Sequence, residues 1–414
     1  MSFRKIPWAL VLALLGVVPL PAQAAAEERL AIVGGRVFTM EGEPIDEGVV
    51  LVRGTRIEAV GSLDDVDIPS DCRLIDATGL VVTPGFIELH NHSSGSDLQS
   101  RVYQVNPGSR VLDNMELDTP ALRFSVAGGV TCVLNIPGSP TNMSGWGVIR
   151  KTWGRTRKEV LVKFPGALKI AQAGNPERSS GELGSDRMGM NWLIRNVLVE
   201  GRAYHEAWTR YEQGKTKKRP RKIIRLETIR GLFRKEYPIA VHTQMMPVVQ
   251  ATVRILHDEL GLDVIIDHGT FDGYLNAPLI VQRGIPVANG PRQFFWDRTQ
   301  GRMLGLAASW HAKGVPSGKI TVNTDAPVVP QEELVYQASM AVRMGLPEDV
   351  ALMGLTLAGA RMLKIDDRVG SLAPGKDADI VLWTGAPLDP RNRTKMVLIN
   401  GKVAYDSDKD GIRF

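Results

Sequence analysis

Five side chains able to hold a metal ion, His90, His92, His242, His268 and Asp325, each stand at or just beyond the end of a short strand-like run. The first pair closes Val81-Val82-Thr83-Pro84-Gly85-Phe86-Ile87-Glu88-Leu89-His90-Asn91-His92. Residues two apart on an extended strand share a face, so both imidazoles can reach one ion. The other three follow the β-branched runs Ile239-Ala240-Val241, Val264-Ile265-Ile266 and Ile320-Thr321-Val322. Short apolar runs separated by longer helical stretches are the signature of βαβ units, and a barrel of parallel strands gathers the C-terminal ends of those strands around one mouth. Residues far apart in sequence can therefore share a single site.

The expected fold is α/β: a (β/α)8 TIM-like barrel over residues 84–369, with a small discontinuous β-sandwich built from residues 28–83 and 370–414. Both chain ends show short strands broken by Gly and Asp, as in small antiparallel sheets. Within the barrel, Gly128-Gly129 opens the second strand, Val130 to Leu134, and Ala167 to Ala171 forms the fourth. The runs before His242 and His268 are the fifth and sixth, and Ile285 to Ala288 the seventh. The third is assigned to Glu159 to Val162. A helical insertion, 175–236, interrupts the barrel and carries Lys215, Lys217, Lys218, Arg219, Arg221 and Lys222 around Pro220. These six cations could bind a polyanion, but no aromatic residues interleave for base stacking, so a solvated loop is the favoured reading.

Residues 1–24 read as a signal peptide: Arg4 and Lys5 supply the positive start, Trp8 to Leu20 the apolar core, and Ala22-Gln23-Ala24 a small-residue cleavage site. The apolar stretch is shorter than the roughly 20 residues that span a bilayer. The mature chain is thus expected in the periplasm or secreted, with no membrane association after cleavage. Losing Arg4 and Lys5 lowers the formal charge from +5 to +3 (5 − 2), too slight to imply nucleic acid as a partner. Cys72 and Cys132 fall in different expected domains and are read as two separate thiols. A homo-oligomer is compatible with such a barrel, though no sequence feature fixes an interface.

Neutral imidazole and carboxylate suit Zn²⁺ and its neighbours in the first transition row. The remaining histidines, His205, His257 and His311, fall in helical stretches and are read as structural.

The chain resembles the amidohydrolase superfamily, in the secreted branch similar to imidazolonepropionases and prolidase-like peptidases. The resemblance rests on Thr83 to His92, Gly128-Gly129-Val130-Thr131, Asn323-Thr324-Asp325-Ala326-Pro327, and Val369-Gly370-Ser371-Leu372-Ala373-Pro374-Gly375-Lys376-Asp377-Ala378-Asp379. It implies one or two divalent ions, zinc expected, held by His90, His92, His242, His268 and Asp325, with His268 and Asp325 also catalytic. It further implies that Lys169, ending the fourth strand, is carboxylated and bridges two metals; the alternative is a lysine leaning out between barrel and helix. In two places the chain departs from the family pattern. Glu88 replaces the usual aspartate before the histidine pair, and Gly174 stands where many similar members carry a glutamate.

A divalent ion lowers the pKa of a bound water from about 16 to near 7. Asp325 would take the proton of that water and hand it to the departing nitrogen. The expected reaction is hydrolysis of a C–N bond, an amide, cyclic amide or dipeptide bond, in a small molecule. Loop residues that could contact substrate are Asn142, Ser144, Arg178, Tyr274 and Arg292. Either of the two arginines could grip a carboxylate in bidentate fashion. The alternatives are a deaminase or esterase of the same superfamily, or a catalytically silent binding protein on this scaffold. His242-Thr243-Gln244-Met245 lacks the nearby glutamate that many deaminases use as a separate proton donor.

Overall fold

The computed structural model describes residues 28–95, 103–172, 174–178, 183–298 and 300–413; the expected signal segment lies outside them. Five strands precede the first histidine pair: β1 (Arg29–Val37), β2 (Ile45–Arg53), β3 (Arg56–Ser62), β4 (Arg73–Asp76) and β5 (Val81–Pro84). The middle of the chain supplies β6 (Phe86–Asn91), β7 (Val130–Asn135), β8 (Met143–Trp146), β9 (Val148–Lys151), β10 (Leu161–Lys163) and β11 (Leu168–Ala171). Then come β12 (Ile239–Thr243), β13 (Val264–His268), β14 (Val287–Asn289), the hairpin β15 (Phe294–Asp297) and β16 (Arg302–Gly305), and β17 (Ile320–Val322). Three strands finish the chain: β18 (Ile380–Trp383), β19 (Thr394–Ile399) and β20 (Lys402–Asp406).

The result is a mixed α/β molecule. Strands from both chain ends share one sheet, ordered β20-β19-β18-β5-β1-β2-β3, with β4 on β1. The two ends meet where β5 pairs antiparallel with β18, Val82 opposite Leu382. Phe86 stacks on Trp383 at 5.1 Å, and the Trp383 indole N–H donates to Thr83 Oγ1 at 3.0 Å, tying this sheet to the start of β6.

Two further sheets hold the centre, β10-β9-β7-β6 and β17-β14-β13-β12-β11-β8. In the second, β11, β12, β13, β14 and β17 run parallel, and β6 and β7 are parallel in the first. The parallel strands are buried on both faces, which is why they read as unbroken apolar runs rather than alternating ones. A parallel bridge between Asn91 and Ala326, reinforced by His92 N–H donating to Ala326 O at 2.8 Å, joins the end of β6 to the turn after β17.

The third strand is not where the sequence placed it. Glu159 and Val160 belong to a short helix, Arg157–Val160, and the strand that follows, Leu161–Lys163, pairs antiparallel at a sheet edge. The ground between β7 and β11 is filled instead by β9, antiparallel to β7, and β8, antiparallel to β11. The break between them is Gly147, where a side chain would stand 2.4 Å from Ile136 Cγ2. Asn142 and Ser144, read as loop residues, are accordingly buried at the edge of this sheet or within it.

The insertion contains the 26-residue helix Arg187–Glu212, started by the Asp186 carboxylate accepting from Gly189 N–H. The six cations that follow it are all exposed. Cys72 and Cys132 are free thiols. No helix among the described residues is long and apolar enough to cross a membrane.

Candidate metal centre

The five ligand candidates converge. Ligating atoms of His90, His268 and Asp325 all lie within 4.8 Å of one another. His92 Nε2 is 2.9 Å from His90 Nε2 and 3.3 Å from Asp325 Oδ1, which is itself 3.2 Å from His90 Nε2. The His242 ring packs edge-on against His268, centroids 4.2 Å apart. All four imidazoles sit at, or one residue beyond, the C-terminal ends of β6, β12 and β13, and Asp325 follows β17.

An alternating strand cannot present two successive side chains to one centre, yet both Asp267 and His268 face His90. Asp267 Oδ2 lies 2.5 Å from His90 Nδ1, and the His268 and His90 ring centroids are 4.6 Å apart. His268 manages this by leaving the β region, with φ at +74°. Asp325 does the same at φ +51°, letting Thr324 and Asp325 serve adjacent tasks. Left-handed backbone at non-glycine residues costs energy and concentrates at functional sites.

Each histidine is oriented by a partner on its far nitrogen. His92 Nδ1 faces Ile136 O at 2.8 Å, His268 Nδ1 faces Gly290 O at 3.1 Å, and His242 Nδ1 lies 3.1 Å from the Ser139 hydroxyl. A carbonyl can only accept, so for His92 and His268 the proton sits on Nδ1 and the Nε2 lone pair points inward. His90 Nδ1 faces the Asp267 carboxylate, so its Nε2 points inward as well, 2.9 Å from His92 Nε2, while the Nε2 atoms of His242 and His268 are buried and without hydrogen-bond partners. Buried polar atoms are nearly always satisfied, so this arrangement fits a cation and little else.

Glu88 locks the frame. Its carboxylate accepts from His90 N–H at 2.9 Å and from Thr324 N–H and Oγ1 at 2.9 and 2.6 Å, binding β6 to the segment that carries Asp325. Burial pushes this carboxyl up to about 7, against the pull of those hydrogen bonds. Lys169 lies inside the site and does not lean outward: it is buried, with Nζ 3.0 Å from His90 Nε2 and 3.8 Å from Asp267 Oδ2. Burial lowers its pKa, and the opposing pull of Asp267 and Asp325 does not restore it. Gly174, with φ at +73°, backs onto His242: a side chain there would begin 3.3 Å from Nε2.

The substrate candidates are scattered. Arg178 closes the short turn Pro176–Arg178 after β11. Arg292 is exposed in the loop after β14. Tyr274 is nearly buried in the main core, with the Lys313 ammonium 5.9 Å from its ring centroid.

Sequence reasoning missed Asp267, Ser139 and Thr324. The available signal for Asp267 was its neighbour: it pairs in register with His242, so the two share a face. Nothing local marked Ser139 or the carbonyls of Ile136 and Gly290, because loop geometry brings them in.

Comparison with known proteins agrees with this geometry. An amidohydrolase family model matches residues 306–404. An amidohydrolase of Hapsidospora irregularis is 23% identical over 402 residues, covering 86% of this chain and 40% of its own length. An N-acyl-D-glutamate deacylase of Alcaligenes xylosoxydans xylosoxydans is 33% identical over 120 residues, 28% of this chain and 20% of that protein. The chain therefore spans two-fifths or less of the length of these curated relatives. A solved amidohydrolase from Thermotoga maritima superposes with a TM-score of 0.81 at 30% identity, over 91% of this chain and all of that one. With a shared fold along nearly its whole described length and a cluster of histidines and carboxylates at the strand ends, the chain belongs to the amidohydrolase family.

Proposed function

We propose that this chain is an exported, metal-dependent hydrolase that cleaves the C–N bond of a small-molecule amide, cyclic amide or dipeptide, on a TIM-like barrel carrying a composite β domain. Members of the superfamily act on C–N bonds and generally use a divalent metal. The observation that carries the reading is the convergence of the inward Nε2 atoms of His90 and His92 on Asp325, beside the buried, unpartnered Nε2 atoms of His242 and His268.

His90, His92, His242, His268 and Asp325 would hold the ion, with zinc the best match to the donor set. Such an ion supplies Lewis acidity, activating water and polarising the substrate carbonyl. Asp325 is the protein's own proton carrier. Its side chain keeps 16% of its surface in contact with solvent while His90 has none, so it faces the mouth. It takes the proton of the attacking water and passes it to the nitrogen as the C–N bond breaks, giving an acid and an amine. Burial would raise the pKa of Asp325, but the neighbouring histidines outweigh it and hold the carboxyl well below the usual carboxylate range, so it stays ionised. Asp267 and Ser139 fix the rings of His90 and His242. Burial lowers the pKa of Lys169, which favours the free amine; that amine could add CO₂ and lose a proton to give a carbamate, which would serve as a further metal ligand.

Arg292, exposed beside the strand ends, is the candidate anchor for a substrate carboxylate, and Arg178 the second. Export rests on the signal-like segment of residues 1–24. The test is a panel of N-acyl amino acids, dipeptides, cyclic amides and aminopurines incubated with metal-loaded protein, scoring newly formed amine against ammonia. Amine release supports the reading, whereas ammonia release from aminopurines alone would replace it with a deaminase.

A further inference from the structure

The loops around the metal centre are unequal in character. After β7 the wall is polar and buried: Ser139 orients His242, Thr141 and Ser144 share a 3.0 Å hydrogen bond, and Asn142 donates to Gly184 O at 3.1 Å. After β13 and β17 each loop exposes a large apolar side chain. Phe271 is 47% exposed and Val328 58% exposed.

Both sit three residues beyond a ligand. Val328 N–H donates to Asp325 O at 2.8 Å, closing a turn that keeps its Cα within about 7 Å of that of Asp325. Phe271 follows His268 and can be no further than about 11 Å from it, Cα to Cα. Phe271 has φ at +53°, a conformation bulky side chains avoid, and its ring meets Phe295 edge-on at 5.9 Å. Phe295 belongs to the β15–β16 hairpin, where Trp296 and Met303 stand opposite each other, 55% and 43% exposed. Keeping this much apolar surface open costs the free protein solvation energy, and open apolar patches mark binding sites.

Resting on the proposed C–N hydrolase reading, we infer that the substrate carries an aromatic or branched aliphatic group on one side of its scissile bond, and that Phe271 and Val328 receive it. These short spans from Asp325 and His268 keep Val328 and Phe271 at the rim of the centre. Discrimination of this kind comes from apolar area removed from water, so a phenyl group should outbind a methyl by at least about tenfold.

Phenylacetohydroxamate and acetohydroxamate share one metal-seeking head and differ in that group. Calorimetric titration of metal-loaded protein should show the phenyl compound binding at least about tenfold tighter. The ratio should fall several-fold in Phe271→Ala and in Val328→Ser, and hold in Phe124→Ala, an exposed phenylalanine on the helix Pro120–Ala127. A wild-type ratio within twofold, binding of neither compound, or a ratio unmoved in both mouth variants overturns the inference. A strong preference without hydrolysis of any amide would sink the proposed activity and leave the apolar subsite standing. Amide hydrolysis with a flat ratio would do the reverse.

Discussion

Lys151 on β9 and Lys169 on β11 are both fully buried, and their surroundings differ in one respect. Lys151 Nζ lies 2.9 Å from Asp377 and also contacts Asp379, while Arg368 closes on Asp377 at 2.7 Å and Arg56 at 2.5 Å. Burial alone would lower its pKa, but the two carboxylates outweigh that and raise it, so it stays charged. The nearest carboxylate to Lys169 is 3.8 Å away, its closer neighbour is an imidazole nitrogen, and burial prevails. One cluster is complete in itself and fastens the sheet of the chain ends to the central strands. The other is left with bare nitrogens. Satisfaction of the polar atoms, more than burial or charge, separates structural glue from a site awaiting a ligand.

Four substitutions test that contrast. Asp325→Asn should cut amide turnover by about 10²- to 10⁴-fold while part of the bound metal is retained, since the proton carrier is lost but most ligands remain. Near-normal turnover would remove Asp325 from the mechanism. Lys151→Met leaves Asp377 and Asp379 buried with less compensation and should destabilise by about 3–5 kcal/mol in chemical denaturation, with the metal content of the folded fraction unchanged. Asp267→Asn, which loosens His90, should weaken metal affinity by about 10- to 100-fold in competition with a chelator. The smallest effect is expected for the stability of metal-free Lys169→Met, which removes an amine with no close carboxylate. A stability loss equal to that of Lys151→Met would show that the two lysines are not distinct in kind.

Much of the site could be read from the sequence because strand ends are local features. His90, His92, His242, His268 and Asp325 each follow a short apolar run, and the structure brings all five together. What escaped was whatever depends on non-local geometry. The segment Met143 to Lys151 reads as a loop because Gly145 and Gly147 interrupt it, yet it fills the position assigned to the third strand. Asp267 escaped because strict alternation points it away from His268, and only the positive φ of His268 brings both to one centre. Asp377 and Asp379 were visible as a motif, but their buried partner Lys151 is more than 200 residues earlier.

The most direct measurement is elemental analysis of protein purified without chelator, before and after incubation with zinc, cobalt or manganese, for wild type and Lys169→Ala side by side. The account predicts one to two equivalents per chain in wild type, falling in the variant if Lys169 helps hold a second ion. Wild-type protein that is folded and takes up none of these metals would contradict the reading of the bare imidazole cluster as a metal centre.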